Sequence, residues 1–457
     1  YCATLELMRA NGFVFENTFA TEHDETEYKK RYNEAYDRWN SMLFTGGYRI
    51  YTSIDKNMQE ILQNNVDESL KNYTETSEEG VYTFQSSATC IDNKTGYVVA
   101  IVGGRTDEQE GYTLNRAYQS FRQPGSSIKP LLVYTPAFEK GYTPNSLVVD
   151  EKIEGGPKNA VGYYIGKTRI RTAVTQSINT VAWKILEEIG IADGINYLKE
   201  MNFKRIVKED YVPAAAIGGF TYGMSTYEMA AGYATLENDG VYRNPTCIRK
   251  IVDNNGNVII DNGLNTSNQK KIYQANASRM MTDVMKDVLT YGTGRKYNIS
   301  NGICAGKTGT TNDTKDVWFV GYSHYYTTAV WCGYDMPKTI DSQYGGTCAG
   351  IIWKGFMEKI HENTEIIDFN PYFDTVPEHQ DYEKETTTKE TETSTEKETT
   401  TKENTTTTNK DNTFESETTT EHKTTTTKPA TENITTDDME KYTTIDAGEG
   451  MYTENWN

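Results

Sequence analysis

Three short segments stand in one order along the chain: Ser126-Ser127-Ile128-Lys129, Ser177-Ile178-Asn179 and Lys307-Thr308-Gly309-Thr310. They lie far apart in sequence, yet their chemistry is useful only in one place. A serine hydroxyl is a poor nucleophile until a neighbouring group takes its proton, and the first segment sets a lysine three residues from a serine. A fold for this chain must bring Ser126, the amines of Lys129 and Lys307, and a strand around Lys307 into a single groove.

Each segment alone is weak. Ser-x-x-Lys also begins at Ser53, Ser267 and Ser394, and Lys-Thr-Gly also occurs at Lys94-Thr95-Gly96. Context separates them. Lys94 falls in Asp92-Asn93-Lys94-Thr95-Gly96, a hairpin turn between two apolar runs. Ser394 lies in a Thr-, Glu- and Lys-rich stretch, Ser53 abuts the end of a strand pattern, and Ser267 sits among Asn and Gln. Only Ser126 follows a tight turn, Gln123-Pro124-Gly125, and leads into a helical apolar pattern through Ile128, Leu131, Leu132 and Tyr134. Serine is a common helix cap, but Lys129 one turn on brings an amine to the hydroxyl. The first turn also leaves backbone N–H groups, that of Ser126 among them, to face a developing oxyanion.

To act as a base, Lys129 must be neutral, and burial or a second cation drives lysine that way. Lys307 is the candidate second cation. Ser177 is placed early in a helix, where it relays a proton between the lysines, and Asn179 holds a substrate amide. The segment around Lys307 precedes the strand Trp318-Phe319-Val320-Gly321-Tyr322 and reads as an edge strand, which offers donors to an extended peptide. Gly309 lets a substrate backbone approach. Thr308, Thr310 and Thr311 complete the substrate-binding set, with the Thr310 N–H as second oxyanion donor. The histidines His23, His324, His361, His379 and His422 stand in no triad context. No metal-ligand spacing is present, and no cofactor is expected.

At 457 residues the chain has room for two or three units. Its formal net charge of -19 argues against nucleic acid as a partner. No run approaches the roughly 20 apolar residues of a membrane helix. Residues 1–47 read as the end of a preceding domain plus a linker, because the chain opens at Tyr1 within amphipathic sequence. Residues 48–365 read as one α+β domain, an antiparallel sheet covered by helices: strand patterns at Tyr48–Ile54, Ala88–Ile91, Tyr97–Val102, Asp316–Tyr322 and Thr327–Tyr334, helical ones at Met58–Leu70, Ser126–Glu139, Thr172–Gly190, Thr226–Asp239 and Ile351–His361. From 366 to 457 the composition collapses to Thr, Glu, Lys, Ser and Asn, too polar to offset the entropy of ordering, so a disordered C-terminal tail is expected. Six cysteines, none in a C-x-x-C pair, read as small buried hydrophobes, with Cys332–Cys348 an allowed disulfide outside the cytoplasm.

With the three segments in place, the chain resembles the transpeptidase domain of class A (bifunctional) penicillin-binding proteins, a group that shares this motif set with class A β-lactamases. The likeness extends to Ile91–Gly96 leading to Ala100–Arg105, to Asn115-Arg116-Ala117 and Arg122–Ser127, and to Ala216-Ile217-Gly218-Gly219 with Gly223-Met224-Ser225. It covers residues 48 to 362. The resemblance implies that Ser126 attacks the D-Ala-D-Ala amide of a peptidoglycan stem peptide. Lys129 takes its proton, Ser177 and Lys307 pass one to the leaving D-Ala, and an amine from a neighbouring strand forms a 3-4 type crosslink. β-Lactam antibiotics acylate Ser126 and remain. It further implies an extracytoplasmic site, a membrane contact only through an N-terminal anchor outside this sequence, and a glycosyltransferase part likewise outside it. Two other readings stay open at this stage: a D,D-carboxypeptidase or β-lactamase, in which water replaces the amine, and a non-catalytic β-lactam sensor or wall scaffold.

Overall fold

The computed structural model describes residues 1–16, 19, 21–105, 113–263, 269–340 and 347–373. Ser394–Lys397 and the expected tail beyond Phe373 lie outside the described residues. Helices α1 (Cys2–Ala10) and α2 (Glu22–Thr45) are followed by strand β1 (Arg49–Thr52), helix α3 (Lys56–Leu70), and the hairpin of β2 (Phe84–Asp92) and β3 (Val98–Val102). Short α4 (Arg116–Gln119) leads to a composite helix: a 3₁₀ turn at Gly125–Ile128, a π turn at Pro130–Tyr134, then α5 (Thr135–Glu139). The hairpin β4 (Leu147–Asp150) and β5 (Gly166–Arg169) precedes α6 (Ile170–Thr175), α7 (Asn179–Ile189), α8 (Ile191–Glu200) and α9 (Thr226–Glu237). After β6 (Val241–Arg243), β7 (Ile248–Val252), β8 (Val258–Asp261) and β9 (Gln269–Lys271) comes α10 (Ala275–Thr290), then β10 (Ala305–Thr310), β11 (Asp316–Tyr322), β12 (Tyr326–Tyr334) and α11 (Cys348–Ile360).

Among the described residues the main sheet has five antiparallel strands in the order β10-β11-β12-β2-β3. Strand period two sends alternate side chains to opposite faces. Val317 and Phe319 of β11 pack with Met58, Leu62, Trp353 and Phe356 of α3 and α11, while Trp318 and Val320 pack with Met229, Tyr233 and Met281 of α9 and α10. Both faces are therefore buried, which is why β11 reads as an unbroken apolar run rather than an alternating one. The expected α+β class and the antiparallel sheet covered by helices are what the structure shows.

Two expectations need correcting. The helix over Ser126–Glu139 is not one α-helix: Pro130 has no N–H to donate and widens the chain into a π turn. The helix over Thr172–Gly190 is two, α6 and α7, parted at Gln176-Ser177-Ile178, so Ser177 does not lie in a helix. Ala3 and Leu7 of α1 pack with Ile248, Ile251 and Ile260, tying residues 1–47 to β7 and β8. Past 365, Phe369 and Tyr372 still pack on the core, and the Asn276 amide donates to the Phe373 carbonyl at 3.0 Å.

Candidate active site

The Ser126 turn is seated on main chain. Gly125, at φ +53, lies against Gly218, where an added Cβ would meet the Gly125 nitrogen at 2.4 Å. On the other side, a Cβ on Gly309 would meet the Pro124 carbonyl at 2.4 Å and the Ser127 hydroxyl at 2.9 Å. The bare α-carbon of Gly309 thus admits the Ser126 turn. The indole N–H of Trp318 donates to the Gln123 carbonyl at 2.9 Å, and Arg122 and Met224 exchange backbone hydrogen bonds at 2.9 and 2.8 Å. The Tyr233 hydroxyl donates to the Ser127 carbonyl at 2.6 Å, and that of Tyr273 to the Leu131 carbonyl at 2.7 Å. These clamps satisfy carbonyls of a turn whose helical bonding Pro130 interrupts. A lone sequence offers no signal for Tyr233, Tyr273 or Trp318, since each reads there as an ordinary core aromatic.

Ser126 itself is partly exposed, and the 3₁₀ turn sets Lys129 above it, because residues i and i+3 eclipse in that geometry. Lys129 is fully buried; its Nζ donates to the Ser177 carbonyl at 2.9 Å, the Ile178 carbonyl at 3.2 Å and Asn179 Oδ1 at 2.7 Å. Burial first, and the like charge of Lys307 second, push its pKa well below the usual lysine value. The three oxygens pull the other way, since an ammonium has three N–H donors and a neutral amine two. The Ile178 contact is the longest and therefore the first to yield when the amine turns a lone pair outward.

Lys307, on edge strand β10, is also fully buried, and its Nζ donates to the Ser177 hydroxyl at 2.9 Å and the Thr308 carbonyl at 3.1 Å. Burial lowers its pKa to about 7. Ser177 is thus held from both sides, by Lys307 at its hydroxyl and Lys129 at its carbonyl. The backbone around it explains how. The N–H groups of Ser177 and Ile178 close α6 by donating to the carbonyls of Val174 at 3.1 Å and Ala173 at 2.8 Å. That is the Schellman arrangement, in which the first residue past the helix turns left-handed and is usually glycine. Here it is Ser177, at φ 57. A non-glycine side chain in this conformation is strained and persists only because its surroundings fix it.

The other expected residues divide. Asn179 opens α7, with Oδ1 on Lys129 and Nδ2 donating to the Lys158 carbonyl at 2.9 Å, which leaves one amide N–H for a ligand. Thr308 Oγ1 lies 2.9 Å from Thr293 Oγ1, and Thr310 is exposed on the rim of β10. The Thr311 hydroxyl accepts the Asp316 N–H at 2.9 Å. Of the rival groupings, the Ser53 hydroxyl donates to the Val98 carbonyl, and Thr95 is held by Asp92. His361 is paired with the Ser323 hydroxyl at 2.8 Å, but its other nitrogen meets the Met357 carbonyl, not a carboxylate. Cys332 lies beside Cys348, both as thiols. Among the described residues no helix is long and apolar enough to cross a membrane.

Comparisons with known proteins identify the family. A family model described as the penicillin binding protein transpeptidase domain matches residues 86–358. Penicillin-binding protein 1A of Clostridium perfringens (strain 13 / Type A) is 34% identical over 358 residues, covering 73% of this chain and 52% of that protein. Penicillin-binding protein 4 of Bacillus subtilis (strain 168) is 34% identical over 324 residues, covering 70% of this chain and 49% of that protein. The chain therefore spans about half the length of these curated relatives. In fold it is similar to the penicillin-binding protein PonA1 of Mycobacterium tuberculosis, with a TM-score of 0.65 at 23% identity over 77% of this chain and 94% of that one. A structure of PonA1 in complex with penicillin V gives 0.64 at 24% identity, over 77% and 97%. By sequence match, fold and motif set, this chain belongs to the penicillin-binding protein transpeptidase family.

Proposed function

We propose that the chain carries a serine D,D-transpeptidase that crosslinks peptidoglycan stem peptides and is acylated by β-lactams. Ser126 Oγ attacks the carbonyl of the penultimate D-Ala while Lys129 takes its proton. The N–H groups of Ser126 and Thr310 hold the oxyanion, and Lys307, through the Ser177 hydroxyl, returns a proton to the departing D-Ala. An amine of a neighbouring stem then attacks the ester and frees Ser126. Asn179 and the Thr308 and Thr310 hydroxyls bind the donor peptide, whose backbone extends along the open edge of β10; Lys307 answers its terminal carboxylate. Thr311 supports that edge through Asp316 rather than meeting the peptide. The reaction belongs at the extracytoplasmic face of a bacterial membrane, within a bifunctional enzyme whose anchor and glycosyltransferase part lie outside this sequence; the greater length of the relatives supports that part of the reading.

One observation carries the proposal: two buried lysines grip Ser177 from opposite sides, Lys129 at its carbonyl and Lys307 at its hydroxyl, both at 2.9 Å. Both pKa values are lowered, that of Lys129 by burial and the like charge of Lys307, and that of Lys307 by burial to about 7, so the Lys307 amine exchanges a proton near neutral pH. Labelling with fluorescent penicillin, compared with Ser126→Ala, is the first test, followed by crosslinking of nascent peptidoglycan. The expected result is stable label lost in the variant, with crosslinks formed by the wild type. Rapid release of label points instead to a hydrolase, and stable label without crosslinks to a sensor; either outcome overturns the proposal.

A further inference from the structure

We propose that Asp150 and Asn159 form a latch that positions Asn179 and Ser177 for acylation, a role resting on the transpeptidase reading above. Helix α7 begins without a cap of its own, because the residue before it, Ile178, has no side-chain acceptor. The cap comes from elsewhere in the chain. Asn159 Oδ1 accepts the N–H of Asn179 at 3.0 Å and that of Thr180 at 3.4 Å. For this the Asn159 amide must face one way, and Asp150 dictates which. The Asp150 carboxylate accepts Asn159 Nδ2 at 2.8 Å, the Ile165 N–H at 2.8 Å and the Thr180 hydroxyl. A carboxylate only accepts, so it draws the donor end of the amide to itself and turns the oxygen onto the helix. Asp150 is 1% exposed and Asn159 6%, and among the described residues the hydrogen-bond partners of this carboxylate are N–H and O–H donors with no cation.

The latch acts at the site because of what shares that helix start. Asn179 Oδ1 is a ligand of the Lys129 amine, and the Lys158 carbonyl, one residue before Asn159, holds Asn179 Nδ2. The segment joining β4 to β5 is thereby strapped over the first turn of α7, directly after the strained Ser177. If the latch opens, Asn179 loses its backbone anchor and its side-chain brace together, and the oxygens around Lys129 lose their fixed places. Asp150 and Asn159 are positioning residues: neither touches Lys129, Lys307 or the Ser126 turn in the hydrogen-bond network.

The test uses Asp150→Asn, Asn159→Asp and the exchange of both. Asp150→Asn confronts two amides. Asn159→Asp confronts two carboxylates. The exchange restores a donor facing an acceptor: an amide at 150 donates to the carboxylate at 159 and still accepts the Ile165 N–H, the Thr180 hydroxyl accepts instead of donating, and the carboxylate caps α7. It loses the 3.1 Å bond from Asn159 Nδ2 to the Tyr163 carbonyl and sets a carboxylate oxygen against that carbonyl, so part of the loss is expected to remain. Acylation by a chromogenic cephalosporin and thermal melting are measured for all four proteins. Each single variant is expected to acylate about tenfold more slowly or worse, and the exchange to recover most of that loss. An exchange variant no faster than the slower single variant overturns the latch, as do single variants that acylate at the wild-type rate. Loss of label in Ser126→Ala is unaffected by either result, so failure of the latch is distinguishable from failure of the transpeptidase reading.

Discussion

Ser177 invites a paired experiment in which two substitutions remove the same hydroxyl. Ser177→Ala and Ser177→Gly both strip the group that accepts from Lys307 at 2.9 Å, so they share that loss. They differ at the backbone. A residue with a Cβ at φ 57 costs about 1–2 kcal/mol relative to right-handed geometry. Glycine escapes that cost but gives up about 0.4–1 kcal/mol through the freedom of its unfolded chain. The remainder, about 0.5–1 kcal/mol, favours Ser177→Gly over Ser177→Ala, a difference of about 2 °C in melting temperature for a domain of this size. Urea unfolding at neutral pH measures the stability gap, and β-lactam acylation is followed in parallel. Both variants are expected to lose acylation to the same degree, because both lack the relay. Equal stability of the two, or a more stable alanine variant, refutes the claim that Ser177 holds strain. An active glycine variant beside a dead alanine variant refutes the hydroxyl's role and leaves only its backbone.

The close contacts at Gly309 make Gly309→Ala a test of the seat: with a main-chain oxygen 2.4 Å from the new Cβ, the strand or the Ser126 turn must shift, at about 1–3 kcal/mol, and acylation should fall; wild-type melting and labelling together count against it. Stability should depend on pH through Lys307, whose folded value of about 7 lies below its ordinary 10.5. The unfolded chain binds more protons in between, so the penalty is complete below the lower value and fades as pH rises to the upper one; melting of wild type against Lys307→Met should move in favour of wild type from about pH 6.5 to about pH 9.5, and a constant difference contradicts the depressed value. Tyr233→Phe leaves the buried Ser127 carbonyl without its 2.6 Å donor, a loss of about 1–3 kcal/mol readable by chemical denaturation; an unchanged midpoint shows that water or another donor fills in.

The regular elements that bear the chemistry were legible because each carries its own local pattern. The apolar runs of β11 and β12, the turn between β2 and β3, and Gln123-Pro124-Gly125 before Ser126 announce themselves within a few residues. The edge position of Lys307 followed from the same logic and is where β10 lies. What stayed hidden depends on contacts between distant segments. The break at Gln176-Ser177-Ile178 has no glycine or proline to mark it, so helical periodicity ran straight through. Gly309 invited the thought of a ligand because sequence cannot tell which backbone comes close. Asp150 and Asn159 look like loop polars until both are found buried, and the packing of Phe369 and Tyr372 is invisible beside the polar residues that follow.

The seat of Ser126 has an evolutionary consequence. Gly125 rests on Gly218, and Gly309 on Pro124, backbone against backbone. Side chains in a core trade volume with one another over generations, but polypeptide main chain has the same shape whatever letters surround it. Heredity can therefore rewrite the helices behind this serine without moving it, and under the proposed function changes in the response to β-lactams fall to rim positions such as the exposed Thr310.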